Sequence, residues 1–327
     1  MKTKSTLAPI IFGTSCLGNL YKAIPFATKV DIAAEWFKAF ERPVVDSAGK
    51  YGAGLSLESI GKALKALGKQ NGELEISVKL GWRRSRRLAP GEEETFEPGA
   101  WKDVGWDAMQ DISQEGILRC HAEAKELLGG YGVDLVSVHD PDEFLASGGS
   151  LDDILGAYDS LFALKARGEA KAVGIGAKDW RSIKLLWEKG VRFDWVMFAC
   201  APTLLVHPPE LLEFVAELKA SGVALVDSAV FNGGFLTGGE YLDYRKADPA
   251  ADAAAYRFRD AYLALCRKYA LDPAAPAVEY AFRLGFDSVA LNTSSPKRIL
   301  QNAAYASAKA PAEFWAALWP LCGQRKG

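Results

Sequence analysis

The chain has 327 residues, with 39 lysines and arginines against 41 acids and a formal net charge of -2. Apolar residues at 49% and charged residues at 24% are enough for a full core, and the balance excludes a disordered chain or a broad basic surface built for nucleic acid. The five cysteines (Cys16, Cys120, Cys200, Cys266, Cys322) are scattered and contain no CxxC, against a disulfide framework or a zinc site and in favour of a reducing cytoplasm.

The opening MKTKSTLAPIIFGTSCLG has no apolar run long enough for a signal peptide, and no stretch reaches the roughly 18 apolar residues of a membrane span. The first apolar run is Pro9 to Thr14, followed by the helical spacing of DIAAEWFKAFE. Val44 to Asp46 comes next, then ESIGKALKAL, then Ile76 to Lys79. Gly81 to Ser113 is the longest irregular part and carries the basic cluster WRRSRR with Trp82, Trp101 and Trp106 around it. The fourth and fifth runs are Leu135 to His139 and Ala172 to Gly176, separated by DDILGAYDSLFALKARG. Trp195 to Ala199, Val223 to Asp227 and Ser288 to Leu291 complete eight runs, with SIKLLWEKG, PELLEFVAELKASG and RFRDAYLALCRKYA among the helices between them. The runs do not alternate polar with apolar, so they read as strands buried on both faces of a parallel sheet.

Eight strand-then-helix units predict an α/β fold, the closed (β/α)8 TIM barrel, as one domain over residues 1–327. An open doubly wound sheet would carry GxGxxG after its first strand, whereas this chain reads SCLGNLYKA there. In a barrel the long segment after strand three hangs over the C-terminal mouth. Polar residues ending strands point at that mouth. Asp46 ends strand two, Lys79 strand three and His139 strand four, and Tyr51 lies on the loop after strand two. Neighbouring strands are about 5 Å apart, so the four can meet. A lysine cation beside a phenol is expected to lower its pKa, an aspartate keeps the lysine charged, and a histidine orients a substrate oxygen. That is a metal-free acid/base site. With three histidines, His121 and His207 lying outside the strand ends, no metal centre is expected.

At these residues the sequence resembles the aldo-keto reductase superfamily. DSAGKYGAGLSLESIGKAL is similar to its D-x-A-x-x-Y-G-x-x-S-E-x-x-L-G signature, with Ser47 where many members have threonine, and ISVKLGW and DLVSVHDPDE resemble its lysine and histidine strands. The resemblance implies a catalytic tetrad of Asp46, Tyr51, Lys79 and His139, an NADP or NAD cofactor extended across the mouth, and interconversion of a carbonyl and an alcohol. GILRCHAEAKELLGGYGVDLVSVHDPDE with the long segment before it resembles the branch of L-fucose, D-threo-aldose and D-galactose 1-dehydrogenases and pyridoxal 4-dehydrogenase. Oxidation of an aldose at C1 to a lactone is therefore expected. The alternatives are an NADPH-dependent aldehyde or carbonyl reductase and a non-catalytic nicotinamide-binding barrel. The expected partner is a small sugar or aldehyde, with neither nucleic acid nor membrane, and a homo-oligomer is left open.

Cofactor contacts are expected from Gly13, Thr14 and Asp46 at the first strands, and from Ser228, Phe231, Gly234 and Leu236 after strand seven. LNTSSPKRILQNAA resembles the family's adenosine-phosphate clamp, K-S-x-x-x-x-R-x-x-E-N, and places Asn292, Ser294, Ser295, Arg298, Gln301 and Asn302 there, with asparagine in place of the clamp lysine. Other positions depart from the family. Ala177 and Lys178 stand where a serine and an asparagine hold the carboxamide, no glutamine is visible in FACAPTLL, and Phe231 or Val230 substitutes for the tyrosine that stacks on nicotinamide.

Overall fold

The computed structural model describes residues 7–322. Eight parallel strands close on themselves: β1 (Ile10–Gly13), β2 (Val44–Ala48), β3 (Glu75–Leu80), β4 (Leu135–His139), β5 (Ala172–Ala177), β6 (Trp195–Ala199), β7 (Ala224–Ser228) and β8 (Ser288–Asn292), each paired with its successor and β8 with β1. This is the (β/α)8 barrel. All eight apolar runs became strands, within a residue or two of their sequence limits.

Alternation along each strand sends one set of side chains inward and the other towards the helices. Ile11, Val44, Leu135, Trp195, Met197 and Val226 fill the barrel in one apolar cluster. The outward set, including Phe12, Val45, Val78, Val136 and Val196, packs in the main core with helix residues such as Trp36, Ile60, Ile117 and Leu161. Gly174 on β5 makes room for the filling, because a Cβ there would stand 2.3 Å from the Trp195 indole. The helices start where polar side chains take up free amides. Ser113 Oγ accepts from the Gly116 amide at 2.9 Å, Ser150 Oγ from Asp153 at 3.0 Å and Asp179 Oδ1 from Arg181 at 3.0 Å. A second apolar cluster joins helix Ala253–Lys268 to the last helix, Ala312–Cys322, through Phe258, Tyr262, Phe314 and Leu318.

The segment 81–113, expected to be irregular, is in fact organised. Trp82–Arg87 pairs antiparallel with Trp106–Gln110. The basic cluster forms one strand of this hairpin, and three of its arginines are engaged in ion pairs: Arg83 with Asp111 at 2.5 Å, Arg84 with Glu58 at 2.8 Å and Arg86 with Glu92 at 2.7 Å. Trp82 and Trp101 are buried, so they pack the excursion down onto the barrel. The five cysteines are free thiols, and among the described residues no group of His, Cys, Asp and Glu could hold a metal ion. Among the same residues no helix is long and apolar enough to cross a membrane.

Candidate active site

The site is built on β2, β3 and β4, which pair in register. Asp46 lies opposite Ser77, and Lys79 lies opposite both Ala48 of β2 and Ser137 of β4. Lys79 Nζ donates to Asp46 Oδ2, and Ser77 Oγ donates to Asp46 Oδ1 at 3.0 Å. Both oxygens of the carboxylate are therefore held. Its backbone is held as well, with Thr14 Oγ1 donating to the Asp46 carbonyl at 2.8 Å and Ser56 Oγ donating to the Thr14 carbonyl at 2.8 Å. The lysine reaches its partner because β5 has glycine beside it. A Cβ at Gly176 would come within 2.9 Å of Lys79 Cδ. Tyr51 follows on the turn after β2. Its ring centroid is 5.0 Å from Lys79 Nζ, 5.7 Å from the His139 ring, which it meets edge-on, and 5.9 Å from Trp101. Asp46, Lys79 and His139 are buried, while Tyr51 is partly accessible. The structure thus brings the four residues together.

Electrostatics differ from expectation at one point. Lys79 was expected to leave the Tyr51 phenol below its ordinary value. Lys79 does pull it down, but burial, with Asp46 in support, outweighs that pull and leaves the phenol raised. For Lys79 itself burial opposes the charge, yet the Asp46 carboxylate and the Tyr51 phenol overcome it and hold the ammonium above its usual range. Burial, together with the cations Lys79, Lys50 and Lys178, keeps His139 far below an ordinary imidazole and hence neutral. Chemically, the group is a phenol next to a fixed ammonium and a neutral imidazole, suited to passing a proton to or from an oxygen.

Around the tetrad lies an ion-pair network that sequence reasoning missed. Lys50 Nζ is 2.7 Å from Glu143 Oε2, 2.9 Å from Glu97 Oε1 and 3.6 Å from Asp140 Oδ2. Lys178 Nζ is 2.6 Å from Glu143 Oε1 and 3.6 Å from Asp140 Oδ2, with the Tyr244 ring 5.1 Å away. Glu97 arrives from the hairpin excursion, Asp140 and Glu143 follow β4, and Lys178 follows β5. The only sequence signal was the placing of Asp140, Glu143 and Lys178 just beyond strand ends. Tyr244 had none; its ring is exposed.

The residues expected at a cofactor fall into two groups. Gly13 is packed against Asn292, whose Oδ1 accepts from the Cys16 amide at 3.4 Å. Asn292, Ser294 and Arg298 are exposed at the end of β8 and the start of helix Lys297–Ala304, and Arg298 forms no ion pair among the described residues. Gly234 has a left-handed backbone (φ 92°) with open space where a Cβ would be, and Phe231 stays partly accessible. A dinucleotide fits this set, which offers exposed amides, hydroxyls and one unpaired arginine. The second group is occupied otherwise. Thr14 is fully buried against Asp46, and Leu236 has its side chain in the second apolar cluster. Val230 is buried in the main core and cannot substitute for a stacking ring. Gln301 Nε2 donates to Asp272 at 2.7 Å, Ser228 Oγ donates to the Phe198 carbonyl at 2.8 Å, Asn302 is buried and Ser295 is partly buried.

A closed parallel barrel with a phenol, an ammonium and an imidazole gathered at the strand ends defines a class of enzyme that moves protons on oxygen. The aldo/keto reductase family model matches residues 9–319, and the chain belongs to that family. It is an oxidoreductase of a family that uses nicotinamide cofactors. It is 30% identical to a D-threo-aldose 1-dehydrogenase from Pseudomonas sp over 94% of this chain and 92% of that one. It is 28% identical to a pyridoxal 4-dehydrogenase from Microbacterium luteolum over 97% and 94%. Among solved structures, the holo form of an aldo-keto reductase from Bacillus halodurans superposes with a TM-score of 0.70 at 21% identity, over 98% of this chain and 94% of that one. A glycerol dehydrogenase from Gluconobacter oxydans gives 0.72 at 16%, over 99% and 94%. At these identities the two structures speak for the fold.

Proposed function

We propose that the protein oxidises an aldose at C1 to a lactone with NAD or NADP, using Asp46, Tyr51, Lys79 and His139 as its catalytic residues. The observation that carries this reading is the Tyr51 ring packed between the Lys79 ammonium, itself bonded to Asp46, and the neutral His139 ring. The relative named for a D-threo-aldose adds weight to the sugar. Tyr51 acts as the base once its phenol has released its proton to solvent: the phenolate, stabilised by the adjacent Lys79 ammonium, takes the proton of the substrate hydroxyl and returns to the phenol. His139 donates a hydrogen bond to the same oxygen and fixes its direction. Asp46 holds Lys79 charged and in place. The bound nicotinamide supplies the hydride acceptor. Asn292, Ser294, Arg298 and the backbone at Gly234 would hold the dinucleotide, and Phe231 or Tyr244 would supply the aromatic face beside its ring. Asn292 in place of a clamp lysine leaves one positive charge fewer for a 2′-phosphate, so both dinucleotides are candidates. Reduction of an aldehyde would run the same steps in reverse.

A panel of aldoses and aldehydes with NAD and NADP, followed at the absorbance of the reduced nicotinamide, tests substrate and cofactor together. An aldose turned over faster than every simple aldehyde is the expected result. Tyr51→Phe should lower kcat by at least about 10²-fold while dinucleotide binding persists. Normal turnover by that variant would refute the assigned chemistry.

A further inference from the structure

We infer that Asp140 is a positioning residue: its carboxylate, held between Lys50 and Lys178, keeps the single proton of the His139 imidazole on Nε2, the nitrogen that then donates to the substrate oxygen. The inference rests on the reading of His139 given above. Asp140 directly follows His139 at the end of β4, is 4% exposed, and has left-handed backbone angles of φ 47° and ψ 58°. Aspartate and asparagine are enriched in that region. The bend turns the carboxylate back over the strand end. Its Oδ2 lies 3.5 Å from His139 Nε2, 3.6 Å from Lys50 Nζ and 3.6 Å from Lys178 Nζ, so one oxygen faces three nitrogens.

A neutral imidazole carries one N–H, and its neighbours decide which nitrogen has it. His139 Nδ1 is buried with no hydrogen-bond partner among the described residues, so nothing on that side selects a tautomer. Around the ring stand the cations Lys79, Lys50 and Lys178, and at Nε2 the Asp140 carboxylate. The lysines alone would favour a bare lone pair at Nε2. The Asp140 oxygen, 3.5 Å from Nε2, favours an N–H there. Lys178 enters this arrangement at the position where the family signature has an asparagine, and Glu143 bridges it to Lys50 at 2.6 and 2.7 Å, so the carboxylate is fixed from two sides. The competing role is purely structural, with Asp140 serving only as a strut between Lys50 and helix Pro141–Ala146.

Nitrogen-15 NMR of the histidine side chains separates the two. The chain has three histidines, His121, His139 and His207, so a His139→Asn spectrum assigns the signals. In the wild-type protein, without cofactor, His139 should show an N–H signature at Nε2 and a lone-pair signature at Nδ1. Asp140→Asn, which suits the same backbone angles, should shift that balance towards Nδ1–H and lower kcat by about tenfold or more, with KM changed less than about threefold. A wild-type imidazole protonated at Nδ1 would overturn the inference. So would an Asp140→Asn protein in which either the tautomer or kcat is unchanged. Should Asp140→Asn fail to fold, Asp140→Gly removes the carboxylate at the same backbone angles and should give the same tautomer shift; an unaltered signal would count against the inference. Retained turnover in Tyr51→Phe sinks the underlying chemistry instead, so the two failures are distinguishable.

Discussion

His139 shows how far a barrel mouth shifts a single side chain. Burial and the three surrounding lysines depress its proton affinity, so the folded protein leaves it neutral at a pH where the unfolded chain would protonate it. The sign follows. Its contribution to stability is complete above the unfolded value near 6.5 and is lost as pH falls below that value towards the folded one, at up to about 1.4 kcal/mol per pH unit. Urea unfolding at pH 7.5 and 5.5 should therefore show a smaller loss for His139→Gln than for the wild-type protein, by about 1 kcal/mol. Equal losses would mean that the imidazole takes up its proton as readily in the fold as in the unfolded chain. The residues that meet at Tyr51 were legible from their places at strand ends. The direction of the Tyr51 shift was not, because proximity to Lys79 is visible in a motif, whereas burial strong enough to outweigh it depends on Trp101 and other neighbours from distant segments.

At the scale of elements, β5 is as much a part of the site as the strands that carry it. Its sequence AVGIGA places glycines at 174 and 176 on the inward face, one making room for Trp195 and the other for the Lys79 stem. Gly176→Ala needs no unusual backbone angle, yet the added methyl would force the lysine aside by a few tenths of an ångström. The barrel should still fold and bind dinucleotide, while kcat falls by about tenfold as Lys79 loses its alignment with Tyr51. A kcat within twofold of wild type would mean that the lysine relaxes freely. Strand runs were readable because continuous apolar stretches bounded by glycine and helical spacing leave few alternatives. The hairpin at 82–110 was not, since WRRSRR carries four arginines in two adjacent pairs and becomes a strand only through pairing with WDAMQ and ion pairs to Asp111, Glu58 and Glu92.

In the whole molecule, β3 and β4 pair directly, Val78 with Val136, so barrel closure does not pass through that hairpin. Replacing residues 83–109 with a short glycine-serine linker should preserve the barrel's circular dichroism. It removes Glu97 from Lys50 and Trp101 from Tyr51, and kcat/KM should drop on the order of 10²-fold. Loss of the folded spectrum would show that the excursion is needed for the barrel itself. The adenosine end of the mouth was the least legible part. Gln301 and Asp272 lie far apart in sequence, and their hydrogen bond, which occupies the amide expected at the cofactor, leaves no local trace.

Closure of β1 against β8, Ile10 beside Val289, has a consequence for synthesis. Once translated, β1 finds one of its two barrel neighbours only after some 280 further residues have followed it, roughly 15 to 60 seconds at ordinary elongation rates. Throughout that interval its open edge is a template for stray pairing. A nascent chain stalled before Ser288 would therefore hold every member of the Asp46–His139 constellation and still depend on chaperones to stay out of aggregates.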